Sequence, residues 1–387
     1  MITLIKNAET YAPEYLGAKD LLIADQKIAK ISEHIDMPEW VPTIDANGKI
    51  VTPGFIDGHV HITGGGGEGS FHTRTPELNL TDATTSGVTT VVGVIGTDGT
   101  TRTMTNLVAK AKALREEGIT CYALTGNYHV PVRTLTGKLE DDIMLIDVII
   151  GAGEIAIADH RSSQPTAEEL AKIGSQARIG GMLSGKKGIV NVHVGHGSDR
   201  LQLIEQVTEE TNIPVEQFHP THINRNEDLF QDGLKYAKKG GFIDFTTSTI
   251  PNRSTDQTLK SSQALKRMLV EGVPLEQMTF TSDAQGSLPQ FNDKGELVGL
   301  KVGKIKSLHE AFVESVKDEG IELSQALQVI TKNPATILGL KQKGFLREGQ
   351  DADLVLLDDS LEIDTVMALG QVMVQDKQAV VKGTFED

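Results

Sequence analysis

Two histidines two residues apart, His59 and His61, lie in the run Phe55-Ile-Asp-Gly-His-Val-His-Ile62. On a β-strand, residues i and i+2 share a face, so both rings would aim at one point. Neutral imidazoles held about 3 Å apart have little reason to converge unless a cation lies between them. A His-x-His pair alone also fits an ordinary half-buried strand, so the weight rests on three further residues. His193 ends Ile189-Val-Asn-Val-His193, His222 ends Gln217-Phe-His-Pro-Thr-His222, and Asp283 follows Met278-Thr-Phe-Thr-Ser282. Each taken singly reads most simply as a hydrogen-bonded core residue. Four histidines and an aspartate at the C-terminal ends of four strands fit a metal site far better.

Eight apolar, β-branched runs are needed to present these groups: Gly54–Ile62, Thr89–Ile95, Thr120–Gly126, Glu154–Asp159, Ile189–Val194, Glu216–His222, Phe242–Thr247 and Met278–Ser282. Helical patterns alternate with them, most clearly Thr103–Glu117, Ala167–Arg178, Asp199–Thr211, Asn226–Lys239 and Asp256–Glu271. Alternating strands and helices predict a parallel sheet, and eight strands predict a (β/α)8 TIM barrel, whose catalytic groups sit at the C-terminal strand ends. The two ends of the chain read as short strands broken by turns such as Asp45-Ala-Asn-Gly48. Residues 1–50 plus 343–387 are therefore expected to form a small β domain around a hydrolase barrel at 51–342. Within it, Leu354–Leu357 and Val372–Val374 are expected to partner Ile2–Ile5 and Leu21–Ile23.

A net charge of −16 disfavours nucleic acid and anionic membranes as partners. No apolar run reaches the 18 residues of a membrane span, and residues 1–7 lack a secretory signal pattern. The single cysteine, Cys121, rules out an intrachain disulfide or a cysteine-rich zinc site, and a reducing cytoplasm is the expected location.

The pattern Pro53-Gly-Phe-Ile-Asp-Gly-His-Val-His61, with His193, His222, Asp283, Thr331-Lys-Asn-Pro-Ala-Thr336 and Gly349-Gln-Asp-Ala-Asp-Leu-Val-Leu356, resembles the amidohydrolase superfamily. Gly64-Gly-Gly-Gly-Glu68, Gly96-Thr-Asp98, Gly126-Asn-Tyr-His-Val-Pro131, Asp159-His-Arg-Ser162, Thr221-His-Ile-Asn-Arg225 and Ser282-Asp-Ala-Gln-Gly-Ser287 are similar to isoaspartyl dipeptidases, across nearly the whole chain. The resemblance implies two divalent ions, with zinc the metal expected of imidazoles and carboxylates. It implies that His59, His61 and Asp283 hold the first, and His193 and His222 the second. In those dipeptidases the bridge is a carboxylated lysine; the matching position here, seven residues before Arg161, is Glu154. Glutamate carries the same single negative charge on a shorter arm.

The resemblance further implies that Glu68 binds the α-ammonium of a dipeptide. Arg161 and Arg225 suit its carboxylates, since guanidinium forks pair with them bidentately. Thr97 and Ser287 would add hydroxyl donors. Tyr128 would stabilise the oxyanion, and Asp283 would act as general base and then acid. Each arginine alone could equally be a surface ion pair. The expected activity is hydrolysis of β-aspartyl dipeptides, with a small-molecule substrate and a homo-oligomeric assembly. The alternative keeps fold and metals but acts on a cyclic amide or as a deaminase. A non-catalytic relative would be expected to have lost ligands that this chain retains. A nucleotide-binding open sheet would need a Gly-x-Gly-x-x-Gly turn after the first strand, and none is present.

Overall fold

The computed structural model describes residues 2–249, 258–291 and 297–386. Five strands come first: β1 (Ile2–Tyr11), β2 (Tyr15–Ala24), β3 (Lys27–Ser32), β4 (Thr43–Asp45) and β5 (Ile50–Pro53). Eight more follow at the expected places: β6 (Phe55–Val60), β7 (Val88–Gly93), β8 (Thr120–Thr125), β9 (Ile149–Ile157), β10 (Ile189–Val194), β11 (Phe218–Thr221), β12 (Ile243–Thr246) and β13 (Met278–Thr281). A hairpin of β14 (Ser287–Phe291) and β15 (Leu297–Val302) precedes the C-terminal β16 (Leu354–Leu357), β17 (Ile363–Ala368), β18 (Gln371–Gln375) and β19 (Gln378–Ala379).

Strands β6 to β11 form one curled parallel sheet in chain order, and β12 pairs with β13 in a second parallel pair. The residues of β6 to β11 are almost wholly buried, as expected of a parallel sheet covered by helices on its outside. The helices Met104–Glu116, Ala167–Ser184 and Glu227–Lys238 lie where periodicity places them. Thr103, Thr166 and Asn226 cap their N-termini by accepting from a backbone N–H three residues on. The helix expected from Asp199 starts only at Gln202, because Arg200 takes a left-handed φ of 42°. That expected from Asp256 is seen as Ser261–Val270; its first expected residues lie outside those described.

Two contacts tie the sheets together. Asp244 on β12 accepts hydrogen bonds from the hydroxyls of Thr221, Thr279 and Thr281, and its carbonyl accepts from Ile223 N. On the other side, Val60 bridges to Ala284 in parallel, and the buried Asp57 carboxylate accepts from Ser282 N.

Strand β9 begins five residues earlier than expected, running through Gly151 and Gly153, a residue type that ordinarily weakens strands. Close approach explains the first: a Cβ on Gly151 would lie 2.3 Å from the Ile189 carbonyl oxygen of β10. The terminal segments form a separate nine-stranded sheet, as expected, but the partners differ. Strand β16 pairs with β5 and β17 rather than with Ile2–Ile5, and Leu21–Ile23 pairs with Thr3, Leu4 and Ile5 of β1 itself.

A buried ion cluster pins that sheet to the preceding segment. Lys343 Nζ lies 2.5 Å from Asp353 Oδ2 and 2.9 Å from Asp351 Oδ2, with its side chain 4% exposed. Lys343→Met would leave Asp353 buried without its cation. We expect a loss of about 3–5 kcal/mol in stability, read as a lower urea midpoint.

Candidate metal centre and substrate cavity

The four histidines meet at the C-terminal ends of their strands. His59 and His61 come from β6 and the residue just after it, with ring centroids 5.7 Å apart. His193 lies on β10, and His222 directly follows β11. His193 Nδ1 and His222 Nε2 are 2.9 Å apart. Asp283 follows β13, and its Oδ1 is 3.1 Å from His61 Nε2 and 3.8 Å from His59 Nε2. His222 and Asp283 both adopt left-handed backbone, with φ of 68° and 53°. Such conformations cost non-glycine residues about 1 kcal/mol or more and concentrate at functional sites.

Glu154 stands between the two histidine pairs. Its Oε1 is 2.8 Å from His193 Nδ1 and 3.6 Å from His222 Nε2. Its Oε2 is 3.5 Å from His59 Nε2 and 4.0 Å from His61 Nε2. One oxygen thus faces each pair, so the shorter arm does reach both. The side chain is 1% exposed. Burial pushes the carboxyl up, but the charge of His59 and the closeness of His193 and His222 outweigh it and hold it well below the usual range.

The donor set fits divalent cations on two grounds. Among the described residues, His59 Nε2, Glu154 Oε2 and Asp283 Oδ1 are buried without a hydrogen-bond partner. Buried polar atoms left so are rare unless a metal or water satisfies them. Moreover, the ligand atoms of His59, His61 and Asp283 lie within 4.8 Å of one another, and so do those of His59, Glu154 and His222. The first group coincides with the expected first ion. The second shares Glu154 and His222 with the expected second ion but replaces His193 by His59.

Groups behind the ligands fix their rings. Asn191 Oδ1 is 3.1 Å from His59 Nδ1, Thr246 Oγ1 is 2.6 Å from His222 Nδ1, and Asp159 Oδ2 is 3.0 Å from His193 Nε2. A metal-ligating histidine ordinarily donates its far ring N–H to such a partner. The sequence reading missed all three. Asn191 and His193 are two apart on β10, so strand alternation alone puts them on one face.

The residues expected on the substrate side, Glu68, Thr97, Tyr128, Arg161, Arg225 and Ser287, line one cavity of about 240 Å3 above the histidines. The Tyr128 hydroxyl lies 2.8 Å from His193 Nδ1. Burial, reinforced by the nearby Glu154, raises its pKa well above the ordinary phenol value, so it stays a donor at neutral pH. Arg225 donates to the Val194 carbonyl at 2.6 Å. Burial pulls its guanidinium below its ordinary value.

Arg161 donates to Asp159 through Nε and Nη2, at 2.9 and 2.7 Å, and to Glu68 through Nη1 at 3.2 Å. Thr97 donates to the same Glu68 oxygen at 3.1 Å. Two expected substrate readers of opposite charge are therefore paired with each other. The Nε/Nη2 edge of Arg161 is occupied by Asp159, which leaves its Nη1 side facing Glu68 and the cavity. Arg102 is a further residue that the sequence reading passed over. It lines the same cavity and donates to the carbonyls of Gly65 and Thr75, bracing the glycine loop that carries Glu68.

Residues 50–385 match the amidohydrolase family. The chain is similar to a beta-aspartyl dipeptidase from Fervidobacterium islandicum AW-1, solved in complex with a beta-Asp-Leu dipeptide. The two are 45% identical, each is covered to 98%, and the TM-score is 0.90. It is also similar to a dihydroorotase of Bacillus cytotoxicus, 26% identical over 88% of this chain and 85% of that one. An L-hydantoinase of Paenarthrobacter aurescens is 24% identical, over 95% and 87%.

Proposed function

The chain belongs to the amidohydrolase family, and from that premise we propose that it hydrolyses β-aspartyl (isoaspartyl) dipeptides at a centre of two divalent ions. Family membership makes it a metal-dependent hydrolase acting on C–N bonds. The observation that carries the dinuclear reading is Glu154, one carboxylate whose two oxygens face two separate histidine pairs. In this reading His59, His61 and Asp283 would hold one ion and His193 and His222 the other, with Glu154 serving both in place of a carboxylated lysine. Zinc is the expected metal. Bound there, the ions would supply Lewis acidity and a hydroxide at neutral pH.

The protein's own groups do the rest. Tyr128 donates its hydroxyl hydrogen to the amide carbonyl oxygen as that oxygen gains charge. Asp283 accepts the proton of the attacking water on a carboxylate oxygen and returns it to the departing amine nitrogen. Glu68 receives the substrate ammonium, Arg161 and Arg225 take its carboxylates, and Thr97 and Ser287 add hydroxyl donors. Glu68→Gln removes the charge that matches the ammonium. KM for β-Asp-Leu is expected to rise about 10- to 100-fold, with a smaller change in kcat. An unchanged KM would remove Glu68 from substrate binding.

A second reading is favoured by the dihydroorotase and L-hydantoinase likenesses, namely hydrolysis of a cyclic amide; deamination is a further variant. Assays of the purified, metal-loaded enzyme against β-Asp-Leu, dihydroorotate, hydantoin and adenine separate them. Turnover of β-Asp-Leu alone is expected, and turnover of the rings alone would overturn the dipeptidase reading.

The two parallel sheets are read as arcs of one (β/α)8 barrel over 51–342, supported by the Val60–Ala284 bridge on one side and the Asp244 contacts on the other. The segments 1–50 and 343–387 then form the small β domain, with β5 on the boundary. Among the described residues no helix is long and apolar enough to cross a membrane. The cytoplasmic location and the homo-oligomer remain parts of this proposal. Exposed apolar side chains at Leu145, Met182 and Leu183 support the latter.

A further inference from the structure

The carboxylate of Asp159 is used twice. Its Oδ2 lies 3.0 Å from His193 Nε2 and accepts from Arg161 Nη2 at 2.7 Å, while Oδ1 accepts from Arg161 Nε and from the Arg161 backbone N–H. The side chain is 2% exposed. We propose that Asp159 is a positioning residue that sets the tautomer of His193 and the direction of Arg161 together, so that grip on the metal and grip on the substrate carboxylate depend on one group. The inference rests on the dipeptidase reading above.

The hydrogen-bond inventory supports the first half. An ionised carboxylate only accepts, so at the 3.0 Å contact His193 presents Nε2–H to Asp159, and an ion of the proposed centre on the Nδ1 side would take the place of a proton facing Glu154. That leaves the Nδ1 lone pair pointing towards Glu154 Oε1 and His222 Nε2, both within 3 Å. The second half follows from the fork. With Nε and Nη2 held by Asp159, the guanidinium plane cannot turn, and Nη1 is aimed at Glu68 and the cavity. The backbone keeps Asp159 in place. Ala158 has a left-handed φ of 51°, and a Cβ on Gly195, at the end of β10, would come 2.5 Å from Asp159 Cβ. Only glycine at 195 lets β10 pass this close.

An amide at 159 cannot satisfy both partners. With its NH2 in the Oδ2 position it would face Arg161 Nη2, donor against donor, and would push the His193 proton onto Nδ1. With NH2 in the Oδ1 position it would face the Arg161 Nε–H and N–H. Asp159→Asn is nearly isosteric, so circular dichroism can verify its fold.

The test compares Asp159→Asn with Arg161→Lys in the full-length protein. Zinc binding to the metal-free protein is measured by competition with a chromophoric chelator, and KM and kcat with β-Asp-Leu. Asp159→Asn is expected to weaken zinc binding roughly 10- to 100-fold and to raise KM as well. Arg161→Lys is expected to raise KM about 10-fold or more while leaving zinc affinity within about twofold of wild type. If Asp159→Asn raises KM but keeps wild-type zinc affinity, the coupling is wrong. A second measurement needs no variant at position 159. Long-range 1H–15N spectra of zinc-loaded, histidine-labelled wild-type protein should show His193 protonated on Nε2; protonation on Nδ1 overturns the inference even if Asp159→Asn fails to fold. Wild-type protein that neither binds zinc nor cleaves β-Asp-Leu refutes the parent reading and takes this inference with it.

Discussion

Glu154→Gln is expected to reduce kcat for β-Asp-Leu by at least about 10^3-fold and to lower the bound metal from two equivalents towards one or none. Loss of a group behind a metal ligand already costs about 10- to 100-fold. Glu154 is not behind the four histidines but between them, within 4.0 Å of a ring nitrogen of each. Glutamine keeps the volume and one acceptor oxygen, but it removes the negative charge and turns a donor towards one histidine pair. Elemental analysis of the purified variant, beside steady-state kinetics, separates lost metal from lost rate. With the proposed bridge encoded as glutamate, wild-type activity is also expected to be unaffected by bicarbonate. Rescue of the metal-stripped protein by bicarbonate would show that a different bridge operates. Two equivalents of metal and full activity in Glu154→Gln would refute the bridge directly.

Asp283→Asn should lower kcat about 10^2- to 10^4-fold, the range over which positioned general acid–base catalysis contributes. Burial pushes the Asp283 carboxyl up, but the closeness and charge of His61, with the charges of His222 and His59, pull it below its ordinary value. It is thus ionised at neutral pH and free to accept a proton. The isosteric amide cannot accept the water proton or return it to the leaving amine. The expected signature is a fall in kcat with KM little changed, whereas a variant within about tenfold of wild-type kcat would assign the proton transfer to another group.

What the sequence made legible follows from range. His59 and His61 are a local pair, and His193, His222 and Asp283 each close an apolar run, so strand periodicity alone placed them at one end of the sheet. Glu154 could be named by its distance from Arg161, but its reach to both histidine pairs could not be foreseen, since β9 also needed Gly151 to approach β10. Residues acting through non-local contacts stayed hidden. The Arg161–Glu68 ion pair spans 93 positions, and nothing in either neighbourhood announces it. Thr246 ends β12, a strand whose C-terminal end carries a plain hydroxyl where its neighbours β11 and β13 are followed by His222 and Asp283. Asp159 was visible as part of Asp-His-Arg but had no assignable partner until His193 was folded onto it. The terminal sheet was foreseen as a whole, yet β5 escaped notice, because Ile50-Val-Thr-Pro53 runs into the first parallel strand with only Gly54 between them.

That short strand has a consequence during synthesis. Thr52 pairs with Val355, and Pro53 with Leu354. At about 5–20 residues per second, the edge of β5 must wait tens of seconds after leaving the ribosome for its partner to be made. Until then β1, β2 and β5 present an open, apolar border, the kind that recruits neighbouring nascent chains. A ribosome stalled just before codon 354 would release a chain with all six residues of the proposed metal centre already made but its seam unsewn, a natural client for a chaperone that shields sheet edges.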